Sequence, residues 1–241
     1  MIAVGLLATA LVLAGPVPYL LARSRTALRH PVPALLAWQA IGACTGLAAV
    51  GAALTVGTGE GPFALVALGA GVLLAGYLLA VSAWVTVRTV ARRRSHRDLL
   101  DLVGTPLPAL PGGRLVVSAA PVAYCLPGRR PRLVLTSAVL ARLAPAALDA
   151  VVAHERAHLR QRHHLVLLPF AAWQAALPFL PAARTARASV ALLVEALADD
   201  TARARVGAAP LADALHTVAL AREPGEPSTT TDVPLRLARL T

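Results

Sequence analysis

Lysine is absent from this chain of 241 residues, and aromatic and cysteine residues are scarce. All 23 basic residues are arginine, which gives a formal net charge of +11, while Trp, Tyr and Phe occur three times each. With so few aromatic rings there is no stacking platform for bases, so the positive charge does not indicate nucleic-acid binding. The two cysteines, Cys44 in an apolar run and Cys125 in a more polar region, exclude a disulfide framework.

Charged residues are also missing from three long stretches near the N terminus. Residues 1–22, 31–57 and 62–87 carry none, hydrophobic residues make up 57% of the chain, and the mean hydropathy is +0.65. Because about 20 apolar residues suffice for a helix to cross a bilayer, three transmembrane helices are predicted. A cleaved signal peptide is the alternative for the first stretch, but it lacks the basic segment with which such peptides begin.

Arginines are distributed unevenly around these stretches. Three follow the first stretch and five follow the third, whereas Glu60 is the only charge between the second and the third. Basic residues are retained on the cytoplasmic side of a membrane. The sequence thus predicts a multi-pass protein of the cell membrane with its N terminus outside and the part after Val87 in the cytoplasm, where arginines would contact anionic lipid.

The sequence HERAH at residues 154–158 matches the pattern HExxH within one predicted continuous helix. Residues four apart lie on one helical face, so both imidazoles can bind one metal ion while Glu155 activates a water molecule. The alternative is a pair of surface histidines on a basic helix, with Glu155 paired to Arg156 or Arg160 as solvated charges.

A catalytic zinc ion commonly has three protein ligands, so a third ligand is required. Gln161, a good helix former, predicts that the helix continues and carries His164 about 9 Å along the axis, out of reach. Glu195 is the better candidate, because it lies in an apolar run and needs a partner if buried; a solvated acidic patch is the alternative. Asp199 could then accept the outer N–H of a liganding histidine. The remaining histidines of this region are predicted to be surface or interfacial residues: His163, His164 and His216.

HERAH and the downstream EALAD at residues 195–199 resemble the HExxH and ExxxD motifs of membrane-bound gluzincin peptidases, most closely the BlaR-type antirepressor peptidases. The HtpX-like and CAAX-processing peptidases share this core. The resemblance covers about residues 115–205 and implies a small α+β domain with a short β-sheet packed on the HExxH helix. It also implies a site in which His154, His158 and Glu195 bind zinc. Glu155 would be the general base, and Asp199 would orient a liganding histidine.

Short apolar or alternating runs at 114–118, 122–126 and 132–136 predict three strands. The turn-forming residues at 128–131 predict a hairpin between the last two. The resemblance implies that an edge strand beside the zinc helix binds an extended substrate by backbone pairing, whereas a sheet with a purely structural role is the alternative. The residues predicted to bind the substrate are Val122, Ala123, Tyr124, Cys125 and Leu126.

The apolar segment 165–183 is interrupted by three prolines and is too short between them to span a bilayer. We interpret it as a bent, membrane-associated segment, with a buried core helix as the alternative. A single crossing would put Glu195 and His154 on opposite sides of the membrane. The predicted organisation is a membrane domain at 1–90, a basic, Pro-rich connector at 91–113, a peptidase domain at 114–222 that includes this segment, and a flexible tail at 223–241.

These features predict a mostly α membrane protein, with three transmembrane helices followed by a small α+β gluzincin-like zinc peptidase domain. Its predicted activity is zinc-dependent hydrolysis of internal peptide bonds by a metal-activated water, in regulatory proteolysis at the cytoplasmic face. Zn²⁺ is the expected cofactor. The expected partners are the lipid bilayer and a peptide or protein substrate, such as a transcriptional repressor or a membrane protein, and no nucleic acid. The alternative is a membrane signal transducer or scaffold in which zinc is structural or serves only self-cleavage.

Overall fold

Two units, each with its own packing, make up the part of the chain that the structure describes. The structure is a computed structural model, and it describes residues 1–220 and 233–240. The first unit comprises Met1–Arg88 and Leu165–Leu193, and the second comprises Thr89–His164 and Val194–Thr241. The HExxH motif belongs to the second unit.

Apolar helices dominate the first unit, as the charge-free stretches predict. A short α3 (Arg25–Arg29) separates the split helix α1 (Ile2–Ala14) and α2 (Pro16–Ala22) from α4 (Pro31–Gly57) and α5 (Ala64–Val103). The first helix is split because Pro16 has no N–H to donate to the preceding turn. Among the described residues, three helices are long and apolar enough to cross a membrane, which confirms the predicted number: Ile2–Ala22, Pro31–Gly57 and Ala64–Val103.

Helix α5 continues well beyond its apolar part. The sequence predicted a connector from residue 91, whereas the helix ends only at Val103. Charged residues do not end a helix, and Gly104 is the first glycine or proline that follows the arginine-rich turns. Near the end of α5, Asp101 accepts hydrogen bonds from Arg114 (2.8 Å) and Arg132 (2.9 Å), which join the helix to the sheet.

The apolar segment at 165–183 forms short pieces instead of one long helix. It contains α8 (His163–Val166) in part, α9 (Leu168–Ala176) and the start of α10 (Pro181–Val206). At about 1.5 Å per residue, α9 is roughly half as long as a bilayer core is thick. Within the first unit, the Tyr77 hydroxyl donates to the Ala176 carbonyl (2.8 Å), and Phe170 meets Trp38 edge to face. The segment is bent, and its contacts group it with the apolar helices.

A four-stranded mixed sheet lies in the second unit. Its strands are β1 (Thr105–Leu107), β2 (Gly113–Val116), β3 (Ala123–Leu126) and β4 (Arg132–Thr136), in the order β1-β2-β4-β3. Strands β3 and β4 pair antiparallel, which confirms the predicted hairpin, while β2 runs parallel to β4. The sequence did not predict β1, because a run of three residues that includes Pro106 has little strand signal.

Helix α7 (Pro145–Arg160), which follows α6 (Ser137–Arg142), packs against β3 and β4 and carries HExxH in its last turns. Pro145 occupies the first turn, where no N–H is needed. Side chains as small as alanine allow the helix to approach the sheet closely. The alanines of its inner face are at most 1% exposed: Ala147, Ala150, Ala153 and Ala157. The predicted sheet packed on the HExxH helix is confirmed.

Two further helices complete the second unit: α11 (Ala208–Leu220) and α12 (Val233–Ala238). Leu211 and Ala214 of α11 join the core formed by β4 and α7. The sequence predicted a flexible tail at 223–241, of which residues 223–232 and 241 lie outside the described residues. The described part differs from that prediction, because α12 is held by the buried side chain of Arg236, which forms ion pairs.

Candidate metal centre and active site

The two histidines of the HExxH motif face each other at the end of α7. Because they are one helical turn apart, their Nε2 atoms lie 3.1 Å apart and their ring centroids 4.8 Å apart. His154 is buried and His158 is partly buried. Both therefore lie within the second unit rather than on its solvated surface.

Glu195, on α10, completes a group of three residues around one point. Its Oε2 lies 3.3 Å from Nε2 of His154, and its Oε1 lies 3.4 Å from Nε2 of His158. Bonds of about 2.0–2.1 Å to a tetrahedral zinc ion would separate the ligand atoms by about 3.3 Å. The structure thus brings together the three residues predicted as ligands, at spacings that fit Zn²⁺.

Asp199, one turn further along α10, lies behind the first histidine. It is 1% exposed, and its Oδ1 lies 3.0 Å from Nδ1 of His154. This is the predicted position for a carboxylate that orients a liganding imidazole. The carboxylate is in turn held by Arg236, whose Nε and Nη2 donate to its two oxygens at 2.7 Å each.

Arg236 is a site residue that sequence reasoning missed. Besides binding Asp199, its Nη1 lies 3.0 Å from Oε2 of Glu195, so one guanidinium holds both carboxylates of the ExxxD motif. A signal was available in the sequence. Arg236 and Arg239 are three residues apart, as are Leu237 and Leu240. This spacing is typical of an amphipathic helix, although these residues follow a Pro/Ser/Thr-rich stretch.

The electrostatics of the site favour a positive charge between His154 and Glu195. Burial lowers the pKa of His154, but the carboxylates of Asp199 and Glu195, 3.0 and 3.3 Å from its ring nitrogens, outweigh burial and raise it to about 10. Burial raises the pKa of Glu195, but His154 and Arg236 outweigh burial and lower it to about 2. A divalent cation bound at this point would supply the same compensation to the buried carboxylates.

Glu155 lies beside the histidines and next to β3. Burial raises its pKa to about 7, against the opposing charge of His154. The thiol of Cys125 interacts with this carboxyl group, and burial raises the pKa of the thiol, so the thiol stays protonated. A carboxyl group with a pKa near neutrality can take up and release a proton, as a general base must.

The chain beyond α7 does not follow the sequence prediction. The helix ends at Arg160 instead of continuing through Gln161, and Arg162 adopts a left-handed conformation with φ of 51°. The next residue, His163, was predicted as a surface or interfacial residue. It is 2% exposed, and its Nδ1 lies 3.0 Å from Nδ1 of His158. The prediction failed because residue preferences favour a helix at Gln161 and do not foresee a left-handed arginine. His164 is partly buried and His216 is exposed.

The strand predicted to bind substrate lies at an edge of the sheet. Among the described strands, β3 pairs with β4 alone. The Val122 carbonyl accepts from the Thr136 N–H (3.1 Å), and backbone direction alternates along a strand. The backbone groups of Ala123 and Cys125 therefore point away from β4, beside Glu155, while those of Tyr124 and Leu126 point toward β4.

Comparison with known proteins agrees with this geometry. The sequence profile of Peptidase family M48 matches residues 88–215, slightly more than half of the chain, and includes the HExxH helix and Glu195. No curated protein and no solved structure matches the chain. The match shows the family but does not test the resemblance to BlaR-type peptidases, so that finer assignment stays a prediction. With an HExxH helix, a carboxylate at ligand distance and a profile match over most of the second unit, the chain belongs to peptidase family M48 and carries a metallopeptidase domain.

Proposed function

We propose that this protein is a membrane-anchored, zinc-dependent endopeptidase that acts in regulatory proteolysis at the cytoplasmic face of the membrane. One observation carries the proposal: ligand atoms of His154, His158 and Glu195 lie within 4.8 Å of one another, next to the carboxyl group of Glu155. Family membership supports the peptidase activity, because it rests on the segment that contains these residues.

The roles of the side chains follow from their positions. A bound zinc ion would supply Lewis acidity to the scissile carbonyl and lower the pKa of a water molecule. Glu155 takes a proton from the water molecule as the oxygen of that water attacks the carbonyl carbon. It then gives the proton to the amide nitrogen as the C–N bond breaks, so one carboxyl group serves first as base and then as acid. Asp199 holds the ring of His154, and Arg236 keeps Asp199 ionised.

The substrate would bind as an added strand at the edge of β3. The backbone groups of Ala123 and Cys125 point outward there and can pair with an extended peptide. Because the Cys125 side chain contacts Glu155, a peptide paired at this position would pass the general base. Backbone pairing accepts many sequences, which suits an endopeptidase that acts on segments already unfolded or extended.

The orientation and the regulatory role rest on two different arguments. The arginines that follow the third span favour a second unit in the cytoplasm. The resemblance to BlaR-type peptidases supports a transcriptional repressor or a membrane protein as the substrate class.

The test compares Glu155→Gln and Glu195→Ala with the parent protein in detergent, by zinc analysis and by cleavage of fluorescein-labelled casein. We expect Glu155→Gln to keep zinc and lose at least about 100-fold in activity, since proton transfer is removed. Glu195→Ala should lose both zinc and activity. Asp149→Asn, the same type of change on the exposed side of α7, should match the parent. Full turnover by Glu155→Gln would refute the assignment.

A structural zinc site in a scaffold is the competing function. Structural sites commonly have four protein ligands, whereas the described residues offer a group of three here, which favours a catalytic site with one open position. A parent protein that binds one equivalent of zinc but cleaves neither casein nor itself would favour the scaffold.

A further inference from the structure

His163 is held between the proposed metal centre and a chain of hydrogen bonds that leads to α10. Its Nδ1 contacts Nδ1 of His158 at 3.0 Å, and its Nε2 contacts Oε1 of Gln161 at 2.7 Å. Gln161 donates from its Nε2 to the Thr201 hydroxyl at 2.8 Å, and that hydroxyl donates to the Leu197 carbonyl at 2.9 Å. The chain of contacts therefore runs from the end of α7 to the part of α10 between Glu195 and Asp199.

The direction of each hydrogen bond is determined by the last acceptor. A carbonyl only accepts, so the Thr201 hydroxyl donates to Leu197 and accepts from the Gln161 amide. The amide oxygen of Gln161 only accepts, so His163 carries its proton on Nε2. A neutral imidazole has one donor and one acceptor nitrogen, which makes Nδ1 of His163 an acceptor.

His158 must then donate from Nδ1, and this leaves the lone pair of its Nε2 directed at His154 and Glu195. That is the only neutral tautomer in which His158 can bind a metal through Nε2.

The two liganding histidines thus have outer partners of opposite character. His154 faces the ionised carboxylate of Asp199, whereas His158 faces a neutral imidazole. Had the helix continued through Gln161, residue 163 could not have returned to His158. The left-handed turn at Arg162 makes the contact.

We propose that His163, held by Gln161 and Thr201, is a positioning residue that fixes the tautomer and the ring orientation of His158 for metal binding. This inference rests on the proposed zinc-dependent function. His163 contacts the outer nitrogen of His158, on the far side from the metal position, and its role is to act through that ring. Partners of this kind commonly change metal affinity by about 10–100-fold when they are removed.

The test measures zinc affinity by competition with a chelator in His163→Leu and His163→Asn. Leucine fills the space without an acceptor, so we expect zinc to bind about 10–100-fold more weakly. Asparagine can place its amide oxygen near the position of Nδ1, so it should recover most of that loss. His164→Leu, the same change at the neighbouring partly exposed histidine, should bind zinc like the parent. His163→Leu with parental affinity would overturn the proposal.

Two readouts separate this inference from failure of folding or of the proposed function. Long-range ¹H–¹⁵N spectra of histidine-labelled parent protein should show a proton on Nδ1 of His158 and on Nε2 of His163, with or without zinc. The opposite tautomers would overturn the inference, whether or not the protein binds zinc. Absence of zinc binding would by itself reject only the proposed function. If His163→Leu does not fold, Thr201→Val, which breaks the far end of the chain of contacts, should still weaken zinc binding several-fold. Unchanged zinc binding in Thr201→Val would then count against the proposal.

Discussion

Buried carboxylates set the requirements of the site at the scale of single residues. Glu195 and Asp199 lie one helical turn apart on α10, and both depend on the guanidinium of Arg236 for compensation. A charge taken out of water costs several kcal/mol unless it is paired and hydrogen-bonded. The two bonds from Arg236 to Asp199 have the forked geometry that lysine cannot reproduce.

Replacing Arg236 with leucine should destabilise the second unit by about 3–5 kcal/mol, because it leaves buried carboxylates without their partner. Hydrogen exchange of peptides from α7, β4 and α10 would measure the loss. Arg239→Leu, in the turn that follows the same helix, is the matched control. Its pair with Asp200 is more exposed, and the expected cost is about 1 kcal/mol or less. Equal effects of the two changes would show that Arg236 is not the main support.

The sequence predicted the three residues that come together as candidate ligands, but it missed two side chains that contact this group or its partner Asp199, for one physical reason. HExxH and ExxxD depend only on helical periodicity, which local sequence encodes. The contact of Arg236 with Asp199 joins residues 37 positions apart, and a Pro/Ser/Thr-rich stretch without helical signal lies between them. The contact of His163 with His158 depends on a left-handed backbone at Arg162, a conformation that arginine rarely adopts.

At the scale of elements, the inner face of α7 determines how deeply the HExxH turns lie in the second unit. Four alanines, each at most 1% exposed, keep the helix close to its neighbours: Ala147, Ala150, Ala153 and Ala157. Larger side chains there would lift the helix, and its histidines with it, away from β3 and from Glu195. Close packing of this kind leaves little room for added methylene groups.

Ala150→Leu should therefore destabilise the second unit by about 1–3 kcal/mol through overpacking. It should also weaken zinc binding, because His154 lies one turn further along the same helix. Opening free energies from hydrogen exchange, together with chelator competition, would test both effects. Ala146→Leu, on the exposed side of α7, should change stability by no more than about 0.5 kcal/mol. Tolerance of leucine at both positions would mean that the helix has space to move.

Element boundaries were predicted well where the pattern is apolar and poorly where it is charged. Strands β3 and β4 stand out as alternating or apolar runs that bracket a turn, and both were found close to their predicted limits. The arginine-rich continuation of α5 was predicted as a connector, yet arginine is a good helix former and no breaker precedes Gly104. Polarity indicates exposure, not the end of a helix.

At the scale of the whole molecule, the contact between His154 and Glu195 limits the path of the chain between them. The two side chains lie 3.3 Å apart, so the intervening residues must leave and return on the same side of any membrane. The apolar segment at 165–183 meets this condition, since α9 has nine residues and cannot cross a bilayer alone. Among the described residues, the three apolar helices of the N-terminal part are then the candidates for crossing a membrane.

Three crossings and the positions of the arginines predict where introduced cysteines will react. In a background with Cys44→Ala and Cys125→Ser, Glu60→Cys lies in the loop between the second and third spans, and Arg130→Cys lies in the exposed turn between β3 and β4. A membrane-impermeant maleimide applied to intact cells should label the first and not the second, because the arginines that follow the third span predict a second unit in the cytoplasm. Both should react after lysis, which controls for accessibility. Labelling of Arg130→Cys alone in intact cells would reverse the orientation and move the proposed peptidase activity outside, where a cytoplasmic repressor could not be its substrate.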